Sequence, residues 1–294
     1  MQPLPTKVTV PAGVAVIGGG RMGAGIAQVW LAAGARVTVV EAGPEAARAA
    51  RDRVTDGLAK AQRRGKLAEP ADSAATRLTI VDSAAELGAD TDLVVEAVPE
   101  RADLKAHVLR AAESAVGPDA VLATNTSSLS VTDLAGALTR PERLLGLHFF
   151  NPVPASALVE VVVAGRTDPA VVHGVRGWIG ALGKAAIVVQ DRPGFASSRL
   201  GVLLGLEAIR MLEEGVADAD AIDTAMELGY RHPLGPLRST DLVGLDVRLA
   251  IADYLHATLG ERFAPPQLLR DKVAAGELGR KTGRGFYTYD LDAR

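Results

Sequence analysis

The sequence predicts an α/β protein: a doubly wound parallel sheet over residues 1–190, followed by an all-α part over residues 191–294. Three observations carry this expectation. Short β-branched runs alternate with helical stretches from Val14 onward, a glycine-rich turn joins the first run to the first helix, and the strand pattern stops at "QDRPG", residues 190–194. Continuously apolar runs of this kind suit strands buried on both faces, and helices between them imply parallel crossovers.

The runs are, in order, "VAVIG", "ARVTVV", "RLTIV", "DLVVEAV", "AVLAT", "RLLGLHFF", "VEVVV" and "AAIVV". The connection from Glu41 to Arg77 is longer than a minimal crossover. Pro44 at its start and Gly65 near its end bracket one long helix, which is expected to project from the domain over about residues 44–66. Beyond residue 191 helix follows helix to about Leu278. In "FASSRLGVLLGLEAIRMLEEG" apolar residues surround the helix on nearly every side, which predicts burial on more than one face and points to a subunit interface.

Composition narrows the function. With 32 Lys and Arg against 35 Asp and Glu, the net charge of -3 offers no general attraction to nucleic acid or an anionic membrane. The absence of cysteine removes disulfides, thiolate nucleophiles and zinc-thiolate sites, and suits a reducing, cytoplasmic setting. The N-terminal "MQPLPTKVTVPAG" lacks the apolar core of a signal peptide, and no later run reaches the roughly 18 apolar residues of a membrane span. His107, His173, His232 and His256 form no metal constellation, and His173 and His256 have no second ligand four residues on, so no metal site is expected.

In "VAVIGGGRMGAGIAQVW", Gly18, Gly20 and Gly23 have G-x-G-x-x-G spacing directly after a strand and at a helix start. Such a turn lets bare backbone approach a pyrophosphate beneath the helix's positive end, so Gly18, Gly19, Gly20, Arg21, Met22 and Gly23 become cofactor candidates. The second strand ends at Glu41, placed to accept both hydroxyls of an adenosine ribose and to oppose a 2′-phosphate. The expectation is a Rossmann-type NAD site. Arg48, in the next helix, is the cation that weighs against it.

His148 ends the sixth run, and Glu160 lies in the seventh. A hydride leaves a carbinol carbon only if a base takes the hydroxyl proton, which a neutral histidine can do near neutral pH. A carboxylate on its other nitrogen would fix the tautomer. On the residues alone, a satisfied core histidine with an edge carboxylate is an equal alternative.

"EAVPE", "NTSSLSVTDLA", "RPERLLGLHFFNPVP", "LVEVV", "LGK", "PGF", "EEGVADADAIDTAMELG", "HPLGP", "DLVGLD" and "GRKTGRGFYTY", in this order, resemble the 3-hydroxyacyl-CoA dehydrogenase family. The resemblance implies His148 as catalytic base, Glu160 as its partner, and Ser127 bonding the substrate oxygen. It implies that Glu100, Lys105, Ser127, Asn151 and Lys281 contact NAD and that Arg64 meets a phosphate of the acyl-CoA substrate. Without it, Glu100 reads as a helix-start acid, Lys105 as a solvated lysine, and the cations at Lys60, Arg63 and Arg64 as complements to a helix dipole. The resemblance further implies a homodimer formed through the C-terminal part. Two stretches depart from the family pattern: Ser198 stands where an asparagine is usual, and beyond "NPVP" Ser156 and Ala157 stand where a methionine and a lysine are common.

Overall fold

The computed structural model describes residues 10–290, so most of the N-terminal "MQPLPTKVTVPAG", expected not to be a signal peptide, lies outside the described residues. The chain divides into two compact units, Met1–Asp191 and Arg192–Arg294. No helix among the described residues is long and apolar enough to cross a membrane.

The first unit holds one eight-stranded sheet, ordered β3-β2-β1-β4-β5-β6-β7-β8. The strands are β1 (Gly13–Ile17), β2 (Arg36–Val40), β3 (Leu78–Val81), β4 (Leu93–Glu96), β5 (Val121–Thr124), β6 (Leu144–Phe149), β7 (Leu158–Val163) and β8 (Ala185–Gln190), one for each apolar run. The helices are α1 (Arg21–Ala32), α2 (Pro44–Arg63), α3 (Ala71–Ala75), α4 (Ala102–Ala115), α5 (Val131–Ala135) and α6 (Pro169–Ala181). The order reverses between β1 and β4, and this opens a crevice at the carboxyl ends of the central strands.

Two features differ from the expected all-parallel, doubly buried sheet. β6 and β7 pair antiparallel, because only residues 150–157 join them and a parallel return needs a dozen or more. His148 is thereby set directly opposite Glu160 in the register. β8 is an edge strand rather than an interior one, with Ile187 and Val188 exposed. Its β-branched run is compatible with either position, since pleated pairing on one side is enough to hold it.

The core lies between the sheet and its helices. Val14, Val16, Val37, Val39, Leu93 and Val95 pack in one cluster with Ile26, Trp30 and Leu31 of α1. In α2, Ala50, Val54 and Leu58 recur every fourth residue and so form one buried face. Gln28 of α1 donates from Nε2 to the Gly57 carbonyl at 2.9 Å. The long helix therefore lies along the domain at least as far as Leu58 instead of projecting from it, with exposed cations along its outer side at Arg48, Arg51 and Arg53 as well as in its last turns at Lys60 and Arg63.

The second unit contains α7 (Ser197–Glu213), α8 (Ala219–Thr224), α9 (Pro236–Val243), α10 (Leu245–Leu259) and α11 (Gln267–Ala274). Val202, Leu206 and Ile209 of α7 are buried among Leu237, Leu245, Ala252 and Leu255. Asp241 fixes the final segment, accepting from the backbone N–H groups of Phe286 and Tyr287 at 2.9 Å each and from the Tyr289 hydroxyl at 3.0 Å. Leu200 and Leu203 lie on α7 and are exposed within the chain, at 69% and 36%, so burial on several sides is not achieved by one copy alone.

Candidate active site

The glycine turn has the geometry that a pyrophosphate needs. Gly18 adopts φ +98°, and a Cβ at Gly23 would collide with the Gly18 carbonyl, so neither position tolerates a side chain. A Cβ at Gly20 would meet nothing within 4 Å, which leaves open space in front of that residue. Gly20 caps α1 without a side-chain hydrogen bond, and the first turn, Arg21 to Gly23, contains no acid. The positive helix end thus faces this opening without a competing carboxylate. These features fit a dinucleotide.

Glu41 follows β2 and folds back on the turn. Its Oε2 accepts the Gly19 N–H at 2.5 Å. The cation that reaches this turn is Arg53 of α2, whose Nη1 donates to the Gly19 carbonyl at 3.2 Å.

A second group gathers at the ends of β4 and β5. Lys105 of α4 is 1% exposed, so it is not the solvated lysine that helical spacing suggested. Its ammonium donates to Glu96 Oε1 at 2.7 Å and to the Val98 carbonyl at 3.2 Å, and pairs with Glu100 Oε2 at 3.2 Å. These partners account for the three donors of an ammonium. Glu96 is fully buried, and burial pushes its carboxyl above the ordinary value although Lys105, Thr124 and the Val98 N–H oppose this. Glu100 behaves oppositely. Burial raises it, but the Lys105 charge with hydrogen bonds from Thr126 and Ser127 outweighs burial and holds it below the ordinary value. Glu100 Oε1 accepts from Thr126 Oγ1 at 2.5 Å and from the Ser127 N–H at 3.0 Å, so the acid shapes the turn that carries Ser127.

His148 and Glu160 form the third group. Their Nδ1–Oε2 distance is 2.7 Å; Glu160 is fully buried and His148 is 7% exposed. A ring that carries its proton on Nδ1, toward the carboxylate, would hold its lone pair on Nε2. The Phe150 ring lies 4.5 Å from the imidazole, centroid to centroid. Asn125, after β5, accepts the Phe149 N–H at 2.9 Å and ties the end of β6 to the turn before Ser127. Beyond Phe150 comes Asn151, which is exposed. The rest of that loop is pinned by Lys184, whose Nζ donates to the Val153 carbonyl at 2.7 Å and to that of Ser156.

Gly18–Gly23, Glu41, Glu100, Ser127 and His148 therefore converge on the carboxyl edge of strands β1, β2, β4, β5 and β6. Arg64 is exposed at the C-terminal cap of α2. Lys281 belongs to the second unit, where its ammonium pairs with Asp246 at 2.5 Å. Ser198 lies in the first turn of α7, in the same unit. Among the described residues no cluster of three or more His, Asp or Glu could hold a metal.

Two family models match nearly end to end: "3-hydroxyacyl-CoA dehydrogenase, NAD binding domain" over residues 13–192 and "3-hydroxyacyl-CoA dehydrogenase, C-terminal domain" over residues 194–289. The chain belongs to the 3-hydroxyacyl-CoA dehydrogenase family. Among its relatives, a 3-hydroxybutyryl-CoA dehydrogenase of Mycobacterium tuberculosis is 44% identical over 94% of this chain and 98% of its own. A mitochondrial hydroxyacyl-coenzyme A dehydrogenase of Sus scrofa is 37% identical, with 94% and 90% covered. The crystal structure of M. tuberculosis FadB2 superposes with a TM-score of 0.91 at 42% identity, covering 96% of this chain and all of the other.

Within this family frame, sequence reasoning passed over Glu96, Thr126, Lys184 and Arg53. Glu96 had a signal, a lone acid closing the apolar run "LVVE". Lys184 stood in the quoted "LGK" without a role. Arg53 had none, because only the packing of α2 on α1 brings it to the turn.

Proposed function

We propose that this NAD-dependent 3-hydroxyacyl-CoA dehydrogenase moves the hydroxyl proton through His148 and acts on short acyl chains. The observation that carries the reading is the buried His148–Glu160 contact at the strand edge where the cofactor turn opens. When bound, NAD accepts the hydride from C3 of the hydroxyacyl group or returns it to the ketone. In the oxidative direction Nε2 of His148 takes the hydroxyl proton, and Glu160 stabilises the resulting imidazolium. Ser127, on the turn held by Glu100, donates to the substrate oxygen. Gly18–Gly23 with Arg21 and Met22 hold the pyrophosphate, and Glu41 takes the ribose diol. Lys105 acts on the cofactor through Glu100 and the Val98 carbonyl, since its own donors are engaged with them and with Glu96. Asn151 completes the cofactor contacts of this unit.

Arg64, with Lys60 and Arg63, is the seat for phosphates of CoA, supported by the exposure of these cations on the last turns of α2. Replacing all three with Ala should raise KM for acetoacetyl-CoA by roughly tenfold, because exposed pairs contribute up to about 1 kcal/mol each. KM for an acetoacetyl thioester lacking the nucleotide should stay near the parent value. Equal changes for both substrates in steady-state kinetics would confine these cations to the helix-dipole role.

The chain acts as a cytoplasmic homodimer that pairs through the C-terminal unit. Support comes from the absence of cysteine and from the apolar side chains that this unit leaves exposed, among them Leu200, Leu228 and Tyr230.

A further inference from the structure

We infer that Arg53 makes the adenosine end of the cofactor site tolerant of a 2′-phosphate, so that the protein also binds NADPH. The inference rests on the reading that Glu41 meets the adenosine ribose. Gly19 receives an anion and a cation at once: Glu41 Oε2 accepts its N–H at 2.5 Å and Arg53 Nη1 donates to its carbonyl at 3.2 Å. The two charges therefore flank a single residue of the turn. An acid alone at this place repels a dianionic 2′-phosphate, whereas a neighbouring guanidinium offsets that repulsion and offers further N–H donors to phosphate oxygens.

Arg53 is suited to this by what it lacks. It is exposed, it donates one hydrogen bond to a carbonyl, and no carboxylate among the described residues forms an ion pair with it. A single bond of that kind contributes only about 1 kcal/mol to folding. The helix that presents it is fixed, because the Ala50 methyl, one turn earlier, packs directly on Gly19. Arg53 therefore approaches the turn from a rigid element, and its guanidinium can exchange the carbonyl for a phosphate by rotation of the side chain alone.

Dissociation constants for NADH and NADPH, read from nicotinamide fluorescence on the full chain, test this. Arg53→Ala should weaken NADPH by about ten- to a hundredfold, the range of a charge-assisted hydrogen bond, and leave NADH within about threefold. Added salt should weaken NADPH more than NADH in the parent protein. Equal weakening of both cofactors would show that Arg53 only holds the turn, and it would overturn the inference. So would unchanged NADPH affinity in Arg53→Ala, or no measurable NADPH binding by the parent. Glu41→Ala checks the underlying reading separately: it should shift the ratio of the two constants toward NADPH, and an unchanged ratio would remove Glu41 from the ribose.

Discussion

His148→Gln is expected to lower kcat roughly a hundred- to ten-thousandfold, the usual worth of a general base, while NADH affinity stays near the parent value. Glutamine keeps much of the volume and one polar group facing Glu160, so the pair of strands that carries both residues should survive. What it cannot do is take a proton from the substrate hydroxyl. Glu160→Gln should produce a smaller loss. The imidazole is retained, but an amide stabilises the imidazolium less than the buried carboxylate that now sits 2.7 Å from Nδ1. Near-parental kcat in both variants would return the pair to a structural role.

The second large effect concerns stability. Lys105 is enclosed with Glu96, at 1% and 0% side-chain exposure, and their ionic contact is 2.7 Å. Lys105→Met leaves the Glu96 charge buried without a counterion, and breaking a buried pair from one side costs about 3–5 kcal/mol. Both tryptophans, Trp30 and Trp178, lie in the first unit, so urea unfolding followed by their emission reports on that unit alone. Lys105→Met combined with Glu96→Gln should regain part of the loss, because no charge is then stranded.

The sign of the pH dependence follows from Glu96. Its folded pKa is already raised by burial, and removing Lys105 raises it further. A raised carboxyl favours the folded state when protonated, so the Lys105→Met deficit should be full and constant above the variant's folded Glu96 value and shrink as pH falls through it towards the unfolded value. A deficit independent of pH, or one below about 1 kcal/mol, would mean that water reaches Glu96.

Why these groups were unequally legible follows from periodicity. The eight strands were readable because each is a short, mostly apolar run bounded by polar or turn residues, and the turn at Gly18–Gly23 was readable because glycine satisfies the close contacts at Gly18 and Gly23. The antiparallel β6–β7 pair was hidden by the strand runs themselves, which carry no direction; the clue was the short connection over residues 150–157. That pair also converts two residues twelve apart in sequence into direct neighbours. Lys105 was misread because charged and polar residues surround it in the chain, Arg101, Asp103 and His107 among them, and nothing local marks it as the lysine that turns toward β4. Arg53 was illegible for a related reason: its contact with Gly19 depends on how α2 lies on α1.

The central claim, a CoA-thioester dehydrogenase working through NAD and the His148–Glu160 pair, is tested most directly by one absorbance measurement. The purified protein is mixed with NADH and either acetoacetyl-CoA or free acetoacetate, and the reduced-nicotinamide band is followed. Rapid loss of the band is expected with acetoacetyl-CoA, little with acetoacetate, and a rate lowered at least about a hundredfold in His148→Gln. Turnover of acetoacetate with none of acetoacetyl-CoA, or a His148→Gln rate equal to the parent's, would contradict the claim.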